Sequence, residues 1–245
     1  MEVAFPIVFA AMMGFTHAFE ADHLLAVSNI VTKRHSVWLA IKDGIAWGLG
    51  HTSTIFLIGL LILVGKVAIT EQTFHYFEAA VGAMLVVLGV LRMRFLWKNG
   101  GAVPVHVHLN DLFFRKKTLT EEAPKVPFRT TKFTNTEPAA ALRYAPQPEN
   151  HRLAYAIGMI HGLAGSGALV LLVMSQIPGP AGALGYLLVF GLGSIVGMLL
   201  ASGVFSLPFS KKISANNTLQ IGLTVLSSLL CVGYGVQVIV ENLTN

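Results

Sequence analysis

Long apolar runs separated by short polar breaks fill most of this chain, and their length is that of a lipid bilayer. Six runs, at roughly 5–31, 44–65, 74–97, 153–176, 182–207 and 218–240, reach the ~20 residues that a membrane-crossing helix needs. They predict an all-α, polytopic membrane protein with six transmembrane helices. The first run begins at Val3 with no basic leader or small-residue cleavage site before it, so it is expected to stay in the mature protein. Between the third and fourth runs the pattern is lost. Residues 98–152 are rich in Pro, Thr, Lys and Glu with little helical periodicity, and are expected to form a partly disordered linker between 1–97 and 153–245.

The two flanking parts resemble each other at an offset of 143 or 144 residues. GFTHAFEADHLLAVS from Gly14 aligns with GMIHGLAGSGALVLL from Gly158, which places His17 on His161. WGLGHTS aligns with FGLGSIV, pairing Gly48 with Gly191 and Gly50 with Gly193, and Gly89 falls on Gly233. Three spans per half is an odd number, so the second half enters the membrane upside down relative to the first. Inverted repeats of this kind build many secondary transporters, with the substrate site where the halves meet. The pairs Gly44 and Gly48, Gly158 and Gly162, and Gly193 and Gly197 have the GxxxG spacing that lets helix backbones approach closely.

Composition agrees with this pattern, at 54% hydrophobic and 12% charged residues and a mean hydropathy of +0.67. Soluble domains carry about 25% charged residues. One cysteine excludes a disulfide framework or a cysteine-rich zinc site. The net charge of +5 could suggest a nucleic-acid partner, but 16 of the 17 Lys and Arg residues fall in connections on one side and only Lys66 on the other. By the positive-inside rule both termini lie outside and the 98–152 loop is cytoplasmic, so the charge reports topology and no nucleic acid is required.

The candidate chemistry is what remains inside the apolar runs. THAFEADHLL in the first run holds His17, Glu20, Asp22 and His23. An acid at the bilayer centre costs about 2.5–3.5 kcal/mol, which a bound cation or a wet path would offset. Imidazoles with a carboxylate suit borderline divalent metals such as zinc, copper, iron and nickel. On an unbroken helix His17 and His23 would lie about 240° apart, so joint ligation predicts a break or bulge near residues 14–23. GLGHTSTI in the second run adds His51, and the fourth run adds His161. Glu20, Asn29 and His161 are candidates for holding an imidazole in its tautomer or for lining the path. No GxxxxGK[ST] phosphate cradle is present, and a Ser166 hydrolase dyad or a bis-histidine haem would leave Asp22 beside His23 without a purpose. Glu78 reads as an interfacial acid, Cys231 as a small core residue, and His35, His75 and His151 as solvated edge residues. His106 and His108 share a face of a short extended piece in the linker.

HAFEADHLLAVSN resembles the HX4DH signature of the NiCoT family of nickel/cobalt permeases, with His17, Asp22 and His23 on its His, Asp and His and Asn29 on its final Asn. GLGHTSTI is similar to the family's GHS-type motif, which gives His51 that role. The second half departs from the family: Ala164 and Ala168 stand where typical members have acids, and Ser202 replaces the Asp of GMxxxD. This reduced pattern resembles the UreH-like six-helix branch. The resemblance implies a non-enzymatic permease of a bacterial-type cytoplasmic membrane that carries Ni²⁺ or Co²⁺ as substrate and has no resident cofactor. Its metal ligands would be His17, Asp22, His23 and His51. A homo-oligomer, an accessory subunit, a role in urease or hydrogenase assembly, or export in place of import stay open at this stage.

Overall fold

The computed structural model describes residues 4–31, 34, 36–66, 70–98, 151–163, 177, 179–209 and 217–244. The linker reading, the second part of the fourth run with Ala164, Ser166 and Ala168, and His35, His106 and His108 lie outside the described residues. Those described are all-helical, without a strand: α1 (Ala4–His17), α2 (Ala21–Val31), α3 (Val37–Leu63), α4 (Glu71–Lys98), α5 (Arg152–His161), α6 (Pro180–Ser206), closed by a 3-10 turn at Leu207–Phe209, and α7 (Asn217–Thr244). Among these, α3, α4, α6 and α7 are long and apolar enough to cross a membrane. Their outward faces carry large apolar side chains such as Leu57, Val87, Leu192 and Leu229, which in water would be an aggregation surface and in lipid are the ordinary solvent-facing side. The protein is an integral membrane protein.

The first run is two helices and not one continuous helix. α1 ends at His17, residues 18–20 turn, and α2 starts at Ala21, a break inside the interval that the histidine spacing predicts. The last turn of α1 tightens, with Phe19 N donating to Thr16 O at 2.9 Å and Glu20 N to His17 O at 3.1 Å, bonds of i to i−3 type. The Thr16 hydroxyl donates back to Met12 O at 3.0 Å, a further local bond of the kind that bends helices. α2 then begins with Leu24 N on Glu20 O, and Asp22 lies in its first turn, where a negative charge meets the positive end of the helix dipole.

Helix packing follows a pattern of exchange between the halves. α3 packs along α6 and α4 along α7, while α1 lies against α6 and α5 against α3. The close contacts repeat in the same sense. The Cα of Gly14 meets the backbone of Phe190, and that of Gly158 meets the backbone of Trp47. Gly50 faces Tyr155 O and Gly193 faces Ala11 O. In each case the second contact is the first shifted by the repeat offset, with the roles of the halves swapped. The six glycines of the GxxxG pairs all abut a neighbouring helix, so a side chain at any of them must push that helix away. Gly50→Val and Gly193→Val are each expected to lower stability by about 1–3 kcal/mol, the usual range for overpacking. Thermal unfolding in detergent measures both, and similar losses are expected because the two contacts are equivalent.

A buried carboxylate also lies where α2 gives way to α3. Asp43, in the second turn of α3, is 3% exposed. It accepts two hydrogen bonds from Arg34, from Nε at 2.6 Å and Nη2 at 3.0 Å, and a third from His151 Nδ1 at 2.6 Å. His151 precedes α5, so this cluster joins the start of the second half to the first. His151 therefore is not the solvated edge residue that its sequence position suggests. His75 is also engaged, with its Nδ1 2.8 Å from Asn242 Oδ1 of α7.

Candidate metal centre

The turn at 18–20 decides how the histidines meet. On a straight helix His17 and His23 would be about 9 Å apart along the axis and on different faces. With the helix interrupted between α1 and α2, their ring centroids are 4.6 Å apart in an edge-on arrangement. α3 delivers His51 from the opposite side, 5.4 Å from the His17 ring and 5.1 Å from the His23 ring. It can come this close because α3 is glycine-rich there: Gly48 and Gly50 flank His51, and Gly162 lies against its carbonyl. α5 ends at His161, whose ring centroid is 4.4 Å from that of His23. All four imidazoles are at most 2% exposed.

One carboxylate organises two of these rings. His23 Nδ1–H donates to Asp22 Oδ1 at 2.9 Å, and His161 Nε2–H donates to Asp22 Oδ2 at 2.9 Å. Each bond fixes a tautomer and leaves the opposite nitrogen, His23 Nε2 or His161 Nδ1, with a free lone pair. Those two nitrogens, His17 Nε2 and both nitrogens of His51 are buried without a hydrogen-bond partner among the described residues. An orphaned buried polar group costs about 1–3 kcal/mol, so the packing holds these rings at a loss that a cation ligated in their midst would remove. Two groups of three have ligand atoms all within 4.8 Å of one another: His17, His23 and His51, and Asp22, His23 and His161.

The remaining candidates are placed differently. Glu20 is 48% exposed, with Oε1 2.9 Å from His17 Nδ1, so it stands at the edge of the cluster. Asn29 is buried and donates to Leu25 O at 3.1 Å, and it is in neither group of clustered ligand atoms. Ser202, at the position where typical family members have an acid, packs against Gly44. Two aromatic rings enclose the site: Phe190 lies 5.6 Å from His17, and Trp47 5.7 Å from His161. Neither stands out in a sequence read for ligands, because an apolar run offers many aromatic residues of equal standing.

The chain is thus a helical integral membrane protein that gathers four buried imidazoles beside one carboxylate, a donor set whose chemistry suits a divalent cation. Comparison with known proteins makes this specific. The chain is 31% identical over 211 residues to the urease accessory protein UreH of Bacillus sp. strain TB-90, a match that covers 84% of this chain and 79% of that relative. It is 32% identical over 112 residues to the nickel transporter NicT of Mycobacterium tuberculosis and 29% identical over 100 residues to the nickel transporter NixA of Staphylococcus aureus. These two matches cover 41% and 36% of the chain and 29% of each transporter. The chain belongs to the NiCoT family of nickel/cobalt transporters, in its UreH-like branch. No family model and no solved structure matches it.

Proposed function

We propose that the protein is a secondary permease that moves a divalent transition-metal ion, Ni²⁺ foremost and Co²⁺ as an alternative, across the membrane. The observation that carries this reading is the set of buried imidazole nitrogens without partners among the described residues, held around Asp22 where α1, α2, α3 and α5 converge. Neutral imidazole is a good ligand for nickel and cobalt and a poor one for magnesium or calcium. In this reading His17, His23 and His51 replace part of the ion's hydration shell, Asp22 balances charge and orients His23, and Glu20 receives the ion at the edge of the cluster.

The architecture we infer is two inverted three-helix repeats, 1–97 and 153–245, with six crossings, both termini outside and the 98–152 connection in the cytoplasm. The exchanged glycine contacts support it, because a two-fold relation between halves is the simplest source of contacts that recur with their partners swapped. Rocking of the halves against each other opens the site to alternate sides. Inward movement of two charges gains ~4.6 kcal/mol per 100 mV, enough for about a thousandfold accumulation.

The test is Ni²⁺ influx into liposomes that contain only the purified chain, with an inside-negative potential imposed by a potassium gradient. Uptake well above that of empty liposomes, lost in His17→Ala/His23→Ala, is the expected result. The name of the UreH relative favours a second reading, in which the chain binds nickel within the membrane as an accessory component and requires a partner to move it. Metal binding in detergent without uptake in liposomes would select that reading.

A further inference from the structure

We propose that the cluster is not one metal site but two overlapping ones that share His23, and that the ion passes from the first to the second during transport; this rests on the permease reading above. The first site is His17, His23 and His51, all from residues 1–97. The second is Asp22, His23 and His161, and its third ligand comes from the other half of the chain. Because His23 belongs to both, the two sites hold one ion between them.

Three observations carry the assignment. His161 is 1% exposed, and its Nδ1 has no hydrogen-bond partner among the described residues, so holding Asp22 accounts for only one of its two nitrogens. His161 is also the repeat counterpart of His17, and the counterparts have corresponding surroundings. His17 lies 5.6 Å from Phe190 of the opposite half and His161 lies 5.7 Å from Trp47 of the opposite half, and Trp47 and Phe190 are themselves related by the repeat offset. The sites thus differ by exchanging one histidine for its counterpart across the interface of the halves. Finally, the second half has Ser194 and Ser202 where the first half or typical family members have a ligand, so His161 is the imidazole it contributes among the described residues.

This arrangement connects chemistry to motion. An ion on the first site is held by one half alone, whereas an ion on the second site binds the halves together through His161. The difference in ligation gives the two sites different preferences for the relative position of the halves, which is what an ion must supply to shift a conformational equilibrium.

The experiment is titration of the detergent-solubilised full chain with NiCl₂, with liposome uptake measured on the same variants. His161→Gln keeps an N–H donor for Asp22 and removes the imidazole lone pair. It is expected to leave equilibrium affinity within a few-fold of wild type and to reduce uptake to the level of empty liposomes. His17→Ala/His51→Ala is expected to retain one Ni²⁺ with affinity lowered by at least the roughly 10–100-fold seen for lost supporting partners. Adding His161→Gln to that double variant removes the remaining binding. Normal uptake by His161→Gln would overturn the proposal, as would a double variant that binds nothing or a triple variant that binds like the double. Absence of binding or of uptake by the wild type would instead overturn the permease reading beneath it, so the two failures are distinguishable.

Discussion

His23→Ala is expected to abolish Ni²⁺ binding outright, whereas Asp22→Asn lowers affinity by about 10–100-fold. The contrast follows from position. His23 is in both groups of ligand atoms, and its ring touches those of His17, His51, His161 and Trp47. No other residue of the cluster can stand in for it. Asp22 acts on the metal largely through the rings it orients, and an asparagine keeps one acceptor for one of them. Titration calorimetry distinguishes the two outcomes. Thermal unfolding without metal serves as the companion measurement, because removal of a buried ring also leaves a cavity. Retention of tight binding by His23→Ala would place the ion elsewhere.

Asp43→Ala is expected to produce the largest loss of stability of any single substitution considered, about 3–5 kcal/mol. The carboxylate accepts a two-pronged bond from Arg34 and a third bond from His151, and it is almost wholly enclosed. Its removal leaves the guanidinium in a poorly solvated place without its bidentate acceptor, and this penalty is larger than the net worth of the pair itself. The corresponding test uses Arg34→Met with Asp43→Leu. Replacement of both charges by apolar groups is expected to recover most of the loss, since buried ion pairs and apolar substitutes often come out level. Denaturation of the three proteins in detergent gives the comparison, and a loss in the double variant as large as in Asp43→Ala would show that shape, and not charge, is what the cluster contributes.

The two predictions also mark what could and could not be read from the sequence. His17, Asp22, His23 and His51 were visible because polar residues inside an apolar run are costly and therefore conspicuous. The helix break was visible for a geometric reason, because six residues of unbroken helix cannot bring His17 and His23 together. Its position at 18–20 rests on the local hydrogen bonding of Thr16, which hydropathy does not report. Asp43 was hidden by the boundary of a run. α3 begins at Val37, ahead of the apolar stretch that starts near 44, so its first turns look like loop. In one dimension Arg34 reads as a topology signal and His151 as an edge residue, because a linear pattern cannot show that His151 reaches a carboxylate 108 positions away. His161 was legible as the counterpart of His17, while its direct contact with Asp22 depends on how the halves dock.

The exchange of helix contacts has a consequence for how the chain comes to be folded. α1 rests on α6, α5 on α3, and α4 on α7, so the main partner of nearly every described helix is supplied by the other end of the polypeptide. Among the described residues neither end encloses a core of its own. In a folding order that follows synthesis, α1–α4 are therefore expected to stand in the membrane with Gly14, Gly48 and Gly50 uncovered until the later helices arrive. The two ends carry their recognition surfaces in their helices. A chain interrupted within the connection at 98–152 should accordingly reassemble from its two pieces, as an intermolecular complex with the same glycine seams.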